Sequence, residues 1–199
     1  MKIVGLDLSL KGTGICVLEG DPDGDPIHRT MVLERERPKD VRGRINLLVS
    51  IAEEINAVFE KEKPDFYIIE APAKNMKWQA ASIGEIHGVV KLQLLLAFGM
   101  VPMIKEATFL RKHVVGEIKS KMVEMTISRG KNKGKTKKKR VYGRVPDEKG
   151  GMKDATVKDI VAQRLRESMG LEFPNHDEMD SYVTARYCWN VNATSGRKC

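Results

Sequence analysis

The chain has 199 residues, of which 41% are hydrophobic and 31% charged, and it carries a formal net charge of +8 at pH 7. That balance excludes a disordered, collagen-like or disulfide-dense protein and suits one globular domain over 1–199, able to bury roughly 70% of its unfolded surface. No uninterrupted apolar run approaches 18 residues and Lys2 leads into a strand pattern rather than a signal-peptide core, so a cytoplasmic protein without membrane association is expected.

The first stretch, Lys2-Ile-Val-Gly-Leu-Asp7-Leu-Ser-Leu, is an apolar run with one carboxylate inside it, followed by Gly12-Thr13-Gly14 and a second apolar run to Leu18. This pattern predicts a strand, a tight glycine turn and an antiparallel partner. An acid within a buried strand must be paired, hydrogen-bonded or metal-bound to offset its desolvation; otherwise Asp7 ends the strand and faces solvent. A Gly, Pro and Asp turn over 19–26 then leads into a third strand over 27–33.

Residues 40–63 show helical spacing through Val41, Ile45, Leu48, Ile51, Ile55 and Phe59, with Asp40 as N-cap and Pro64 as the stop. Next comes a short β-rich run, Phe66-Tyr-Ile-Ile-Glu70, which sets a second acid at a strand end, where sites form in α/β proteins. A second helix is predicted over 77–100. Its small and apolar face (Ala80, Ala81, Gly84, Gly88, Leu92, Leu95, Leu96) admits close approach of either the sheet or a second subunit. A strand over 101–105 and a short helix over 108–115 follow.

The charge is concentrated farther on. Residues 125–146 hold nine Lys or Arg and no Asp or Glu, enough to account for the whole net charge. Hydrophobic periodicity is lost over about 128–151, which reads as a flexible, lysine-rich insertion suited to nucleic-acid phosphates, with Lys137, Lys138, Lys139 and Arg140 at its centre. A helix is predicted over 154–169, ending at Gly170, and a last helix over 176–189. In the last helix Asp177 and Asp180 are three apart and share one face. Acids at a helix start also simply complement the helix dipole.

Three cysteines (Cys16, Cys188, Cys199) and four scattered histidines offer no zinc spacing. Cys16 and Cys188 read as core residues and Cys199 as a tail thiol. The acids offer a different chemistry. If Asp7, Glu70, Asp177 and Asp180 converge, each pair ~4 Å apart repels by about 4 kcal/mol at an effective dielectric of 20, and a hard divalent cation relieves that repulsion. Oxygen-only ligands select Mg²⁺ or Mn²⁺, and two such ions suit phosphodiester hydrolysis.

In order and context these motifs resemble the RuvC-type Holliday-junction resolvases of the RNase H-like superfamily. The resemblance rests on Ile3-Val-Gly-Leu-Asp7 with Thr13-Gly14, and on Tyr67-Ile-Ile-Glu70 with Lys74-Asn75 and Gly84-x-x-x-Gly88 after it. Leu110-Arg-Lys-His-Val-Val-Gly116 and Asp177-Glu-Met-Asp180-Ser-x-x-x-Ala185 complete it. It implies an α/β, RNase H-like fold with a central mixed five-stranded sheet flanked by helices and carrying the basic insertion. It further implies that Asp7, Glu70, Asp177 and Asp180 are catalytic and bind two Mg²⁺ ions, for which Mn²⁺ can substitute. The activity implied is that of a homodimer placing paired symmetric nicks in a four-way junction. Arg111 stands where the family has a DNA-contacting lysine, Lys112 follows it, and Lys158 aligns with another such position. His176, beside the acid pair, would assist proton transfer or cap the helix.

The chain departs from bacterial members in having Leu8-Ser9-Leu10 after Asp7, as phage or organellar relatives do, and no aromatic in Ala71-Pro72-Ala73, where Trp78 is the nearest candidate wedge. Two other readings remain compatible with the residues: an RNase H-like nuclease for flaps or RNA–DNA hybrids, and a non-catalytic DNA-binding module. The sugar-kinase and actin relatives of the sheet would need a phosphate loop and a second repeat, and neither is present in the sequence.

Overall fold

A computed structural model describes residues 1–36, 38–72, 80–126, 135–146 and 152–195. The chain divides into two compact units, one formed by 1–114 with 173–199 and the other by 115–172.

The larger unit is built on a five-stranded sheet. Its strands are β1 (Lys2–Asp7), β2 (Gly12–Glu19), β3 (Ile27–Glu34), β4 (Phe66–Ala71) and β5 (Met103–Glu106), in the order β3-β2-β1-β4-β5. β1 pairs antiparallel with β2 and parallel with β4; β2 and β3 are antiparallel, β4 and β5 parallel. The expected mixed sheet is therefore present. β1 is central because Ile3, Val4 and Leu6 have no exposed surface, as two-sided burial demands.

Side chains alternate between the faces of a strand. One face, with Val4, Leu6, Ile15, Val17, Tyr67 and Ile69, packs against α1 (Val41–Glu62) and α2 (Ala80–Phe98). Helix α1 supplies Leu48, Ile51, Ile55 and Phe59, four apolar residues at helical spacing. It starts where Asp40 accepts a hydrogen bond from the Gly43 amide at 2.8 Å, and it ends with Lys63 in the left-handed region (φ 47°) just before Pro64. α2 contributes Ile86, Val90 and Leu94.

The other face receives α5 (His176–Ser195), which continues beyond the expected end at 189. Gly5 permits this contact: a β-carbon there would lie 2.5 Å from the Ala185 amide nitrogen and 2.5 Å from the Ser181 carbonyl oxygen. The helix is buried on nearly all sides, through Met179, Asp180, Val183, Ala185, Cys188 and Trp189 among others. Cys16 and Cys188 are core residues, and burial pushes the Cys16 thiol up. Cys199 lies outside the described residues.

One sequence expectation is revised in this unit and another is narrowed. Gly12 and Gly14 do not form the first turn but lie within β2; the turn is held by Ser9, whose hydroxyl accepts from the Gly12 amide (3.0 Å) and donates to the Gly12 carbonyl (2.9 Å). Of the two partners expected for the small-residue face of α2, the sheet or a second subunit, the sheet does not take that role among the described residues. Gly84, Gly88, Leu92, Leu95 and Leu96 are exposed, and among the described residues no other element comes within 4 Å of where a β-carbon on either glycine would lie. The core contacts come from the opposite side of the helix. α2 contains a stretch, Ala81–Phe98, long and apolar enough by length and composition to cross a membrane, yet Ile86, Val90 and Leu94 fix it to the sheet core.

α3 (Ala107–Val115) follows β5 directly and anchors by Leu110, which is fully buried. The smaller unit contains an antiparallel hairpin of β6 (Lys121–Thr126) and β7 (Thr136–Val141), a short one of β8 (Arg144–Pro146) and β9 (Met152–Asp154), and α4 (Val157–Met169). Thr156 and Asp159 cap α4 reciprocally, and Gly170 ends it with φ 66°. Part of the segment in which the sequence shows no periodicity is thus paired strand, over 136–141 and 144–146.

Candidate active site

The register of β1 and β4 begins the site. Leu6 pairs with Ile69, so the next residues, Asp7 and Glu70, stand side by side at the C-terminal ends of two parallel strands. Alternation places Asp7 on the face of Gly5, which is the face that receives α5. Glu70 shares that face with Ile68, the partner of Gly5.

α5 brings the other two acids. Asp7 pairs across the sheet with Gly14, and a β-carbon on Gly14 would lie 2.2 Å from the Asp177 carbonyl oxygen. One on Gly12 would lie 2.7 Å from Asp177 Oδ2. The two glycines thus leave a cradle into which the start of α5 settles with the Asp177 carboxylate. Asn175 caps that start: its Oδ1 accepts from the Asp177 amide at 3.0 Å and the Glu178 amide at 2.9 Å. Glu178 is tied to the Thr30 hydroxyl and to Asn175 Nδ2, so it belongs to the helix cap. An open groove of about 690 Å³ runs past Asp177, lined by Ser9, Lys11, Gly12, Glu34 and Arg35 among others.

Asp180, one turn on, is 1% exposed. Its Oδ1 accepts from Arg111 Nη2 at 2.9 Å and Nε at 3.3 Å, and the same Nη2 lies 3.9 Å from Glu70 Oε1. One guanidinium therefore joins an acid from β4 to an acid from α5. Sequence reasoning expected Arg111 to face phosphate; in the structure its side chain is 14% exposed and faces the carboxylates.

Lys112 and His176 are exposed. Lys138, Lys139, Arg140 and Lys158 belong to the smaller unit, where Lys139 is ion-paired to Asp154 at 3.0 Å. Register places Lys138 opposite Glu124, Lys139 opposite Val123 and Arg140 opposite Met122, so Lys138 and Arg140 share one face of the hairpin and Lys139 takes the other. Lys137 pairs with Met125 through its backbone, and its side chain lies outside the described residues, as do Lys74, Asn75 and Trp78. Asn175, Ser9 and the Gly12–Gly14 cradle were not singled out from the sequence as site features; an Asn two residues before Asp177 was the available sign of a helix cap.

The donor set suits Mg²⁺ or Mn²⁺ in kind, since all four candidates are carboxylates, and the glycine cradle seats one of them on the sheet face shared by the others. Among the described residues no three Asp, Glu, His or Cys side chains stand close enough to hold a metal ion together. Positive charge between Glu70 and Asp180 is supplied by Arg111.

No family model matches the sequence, and no curated protein matches it. Solved structures do match. The RuvC structure of Thermus thermophilus superposes with a TM-score of 0.63 at 16% identity, covering 98% of this chain and 97% of that one. T. thermophilus RuvC in complex with a Holliday junction substrate superposes with a TM-score of 0.62 at 13% identity, covering 96% of each. The fold of this chain is RuvC-like.

Proposed function

We propose that this chain is a structure-selective endonuclease that resolves four-way or otherwise branched DNA by paired symmetric nicks. The observation that carries this reading is the placement of two strand-end acids, Asp7 and Glu70, on the sheet face against which α5 packs with Asp177 and Asp180, in a RuvC-like fold. The solved relative bound to a Holliday junction supports the choice of substrate.

In this reading the four carboxylates hold two Mg²⁺ ions, with Mn²⁺ as a substitute, and those ions would activate water and stabilise the leaving oxygen of a phosphodiester. The chain's own residues provide the rest. β1 and β4 fix Asp7 and Glu70 on rigid strand ends, and the glycine cradle fixes Asp177 relative to Asp7. The exposed Lys112 and the hairpin cations Lys138, Lys139 and Arg140 contact phosphates, with Lys137 and Lys158 adding to them; such contacts position DNA without reading its sequence. His176, exposed at the start of α5, assists proton transfer at the attacked phosphate.

A two-fold substrate calls for a two-fold enzyme. The exposed Gly84, Gly88, Leu92, Leu95 and Leu96 face supports a homodimer in which α2 packs against its copy. Asp7→Asn tests the assignment: junction binding persists and cutting is lost. Undiminished cutting by that variant would refute the metal-site assignment, and a wild-type chain that binds junctions without cutting in Mg²⁺ or Mn²⁺ would make the protein a DNA-binding module.

A further inference from the structure

We propose that Arg111 is a built-in counter-ion of the acid pair Glu70 and Asp180, which it holds together in the metal-free protein and from which it must withdraw when a divalent cation binds. The inference rests on the reading that these carboxylates are metal ligands. It adds a competitor within the chain and a consequence for the order in which metal and DNA bind.

The geometry is specific. Two nitrogens of one guanidinium, Nη2 at 2.9 Å and Nε at 3.3 Å, converge on a single oxygen of Asp180, while Nη2 also lies 3.9 Å from Glu70 Oε1. Both acids are largely removed from water, with 1% and 16% of their side chains exposed, and Arg111 is 14% exposed. Two desolvated carboxylates that share a cation lose heavily if it leaves without replacement. Arginine is permanently charged in proteins, so Arg111 stays a cation beside this pair at every physiological pH.

The supporting elements make withdrawal feasible. The acids are carried by β4 and α5, whereas Arg111 comes from α3, held in place by the buried Leu110. The guanidinium can therefore swing on its own stem while both carboxylates stay where the sheet and helix fix them. Once released, its natural partner is a phosphate, which the planar fork binds through two parallel hydrogen bonds. Metal and DNA then reinforce each other: metal frees Arg111 for the backbone, and a phosphate that captures Arg111 opens the carboxylates to metal. By linkage each ligand raises the other's affinity by the same factor.

Calorimetric titration of full-length wild type, Arg111→Met and Asp7→Asn with Mn²⁺ and no DNA tests this directly. Arg111→Met should bind the ion about tenfold more tightly, a difference of about 1.4 kcal/mol, because nothing has to be displaced. It should also melt below wild type in EDTA and recover in saturating Mn²⁺. A residue with only a structural role would weaken metal binding when removed, so unchanged or weaker affinity in Arg111→Met, with Asp7→Asn defective, overturns the proposal while leaving the metal site intact. Absence of binding in wild type, or full binding by Asp7→Asn, removes the metal site and the counter-ion role together. A measurement on the unaltered chain guards against a variant that does not fold. The Arg111 Nε–H resonance should shift at saturating Mg²⁺ as its bond to Asp180 is lost, and an unmoved resonance would refute the displacement.

Discussion

Replacement of Gly14 by alanine perturbs the joint on which the site depends. The added β-carbon would lie 2.2 Å from the Asp177 carbonyl oxygen, 2.8 Å from its carbonyl carbon and 3.2 Å from Ser181 Cβ, where ordinary contact begins at 3.4 Å. Two of these three obstacles are backbone atoms in the first turn of a buried helix, so no side-chain rotation relieves them. Overpacking costs about 1–3 kcal/mol, and a rigid obstacle places Gly14→Ala near the upper end, about 3 kcal/mol. In a chain of this length that lowers the melting temperature by about 6–12 °C. The start of α5 can escape only by lifting from β2, which carries Asp177 away from Asp7, and a displacement of about 1 Å at a reacting centre costs about a hundredfold in rate. Equilibrium urea unfolding and single-turnover junction cleavage measure the two effects. Gly24→Ala is the control: its β-carbon would meet only ordinary contacts at 3.6 and 3.9 Å, so its stability should stay within about 0.5 kcal/mol of wild type. A Gly14→Ala protein as stable and as active as that control would refute the reasoning.

Leu96 is 73% exposed on the open face of α2, so Leu96→Asp should convert the proposed dimer to monomer in sedimentation velocity without loss of fold; an unchanged sedimentation coefficient would refute a dimer built on this face. His87 is buried with an unbonded Nδ1, and burial first, then Lys91, lowers its pKa from 6.5 to about 4. The unfolded chain therefore takes up the proton first, and stability present above pH 6.5 falls as pH drops toward 4, by up to about 3 kcal/mol. Urea unfolding across that window should show the slope in wild type and a flatter profile in His87→Leu. Removing Lys138 and Arg140 together should flatten the log-affinity against log-salt slope for junction DNA by about 0.9 per lost phosphate contact. An unaltered slope would mean that this face of the hairpin does not touch the backbone.

The sheet was legible because its signals are local and agree. Ile3, Val4 and Leu6 announce a strand buried on both faces, and the spacing from Leu48 to Phe59, begun by Asp40 and stopped before Pro64, announces α1. The strand-end acids were legible for the same reason, since Asp7 and Glu70 each interrupt or close an apolar run. What remained hidden depends on contacts distant in sequence. Gly12 and Gly14 look like turn residues until α5 is seen to rest on them. The pairing of Arg111 with Asp180, 69 residues away, has no sign in the residues around either of them. The apolar residues of α2 gave no sign of which side would meet the sheet, because they nearly encircle the helix; burial of Ile86, Val90 and Leu94 decided it. The strand Thr136–Val141 has no apolar alternation at all, and only its pairing with Lys121–Thr126 makes it regular.

The most direct test is cleavage of an immobile four-way junction beside matched duplex, flap and RNA–DNA hybrid, in Mg²⁺ and in EDTA, with both strands mapped. The proposed function predicts paired nicks, symmetric about the branch point, confined to the junction and abolished by EDTA. Cutting of the hybrid or flap in preference to the junction, or nicks that persist in EDTA, would contradict the account.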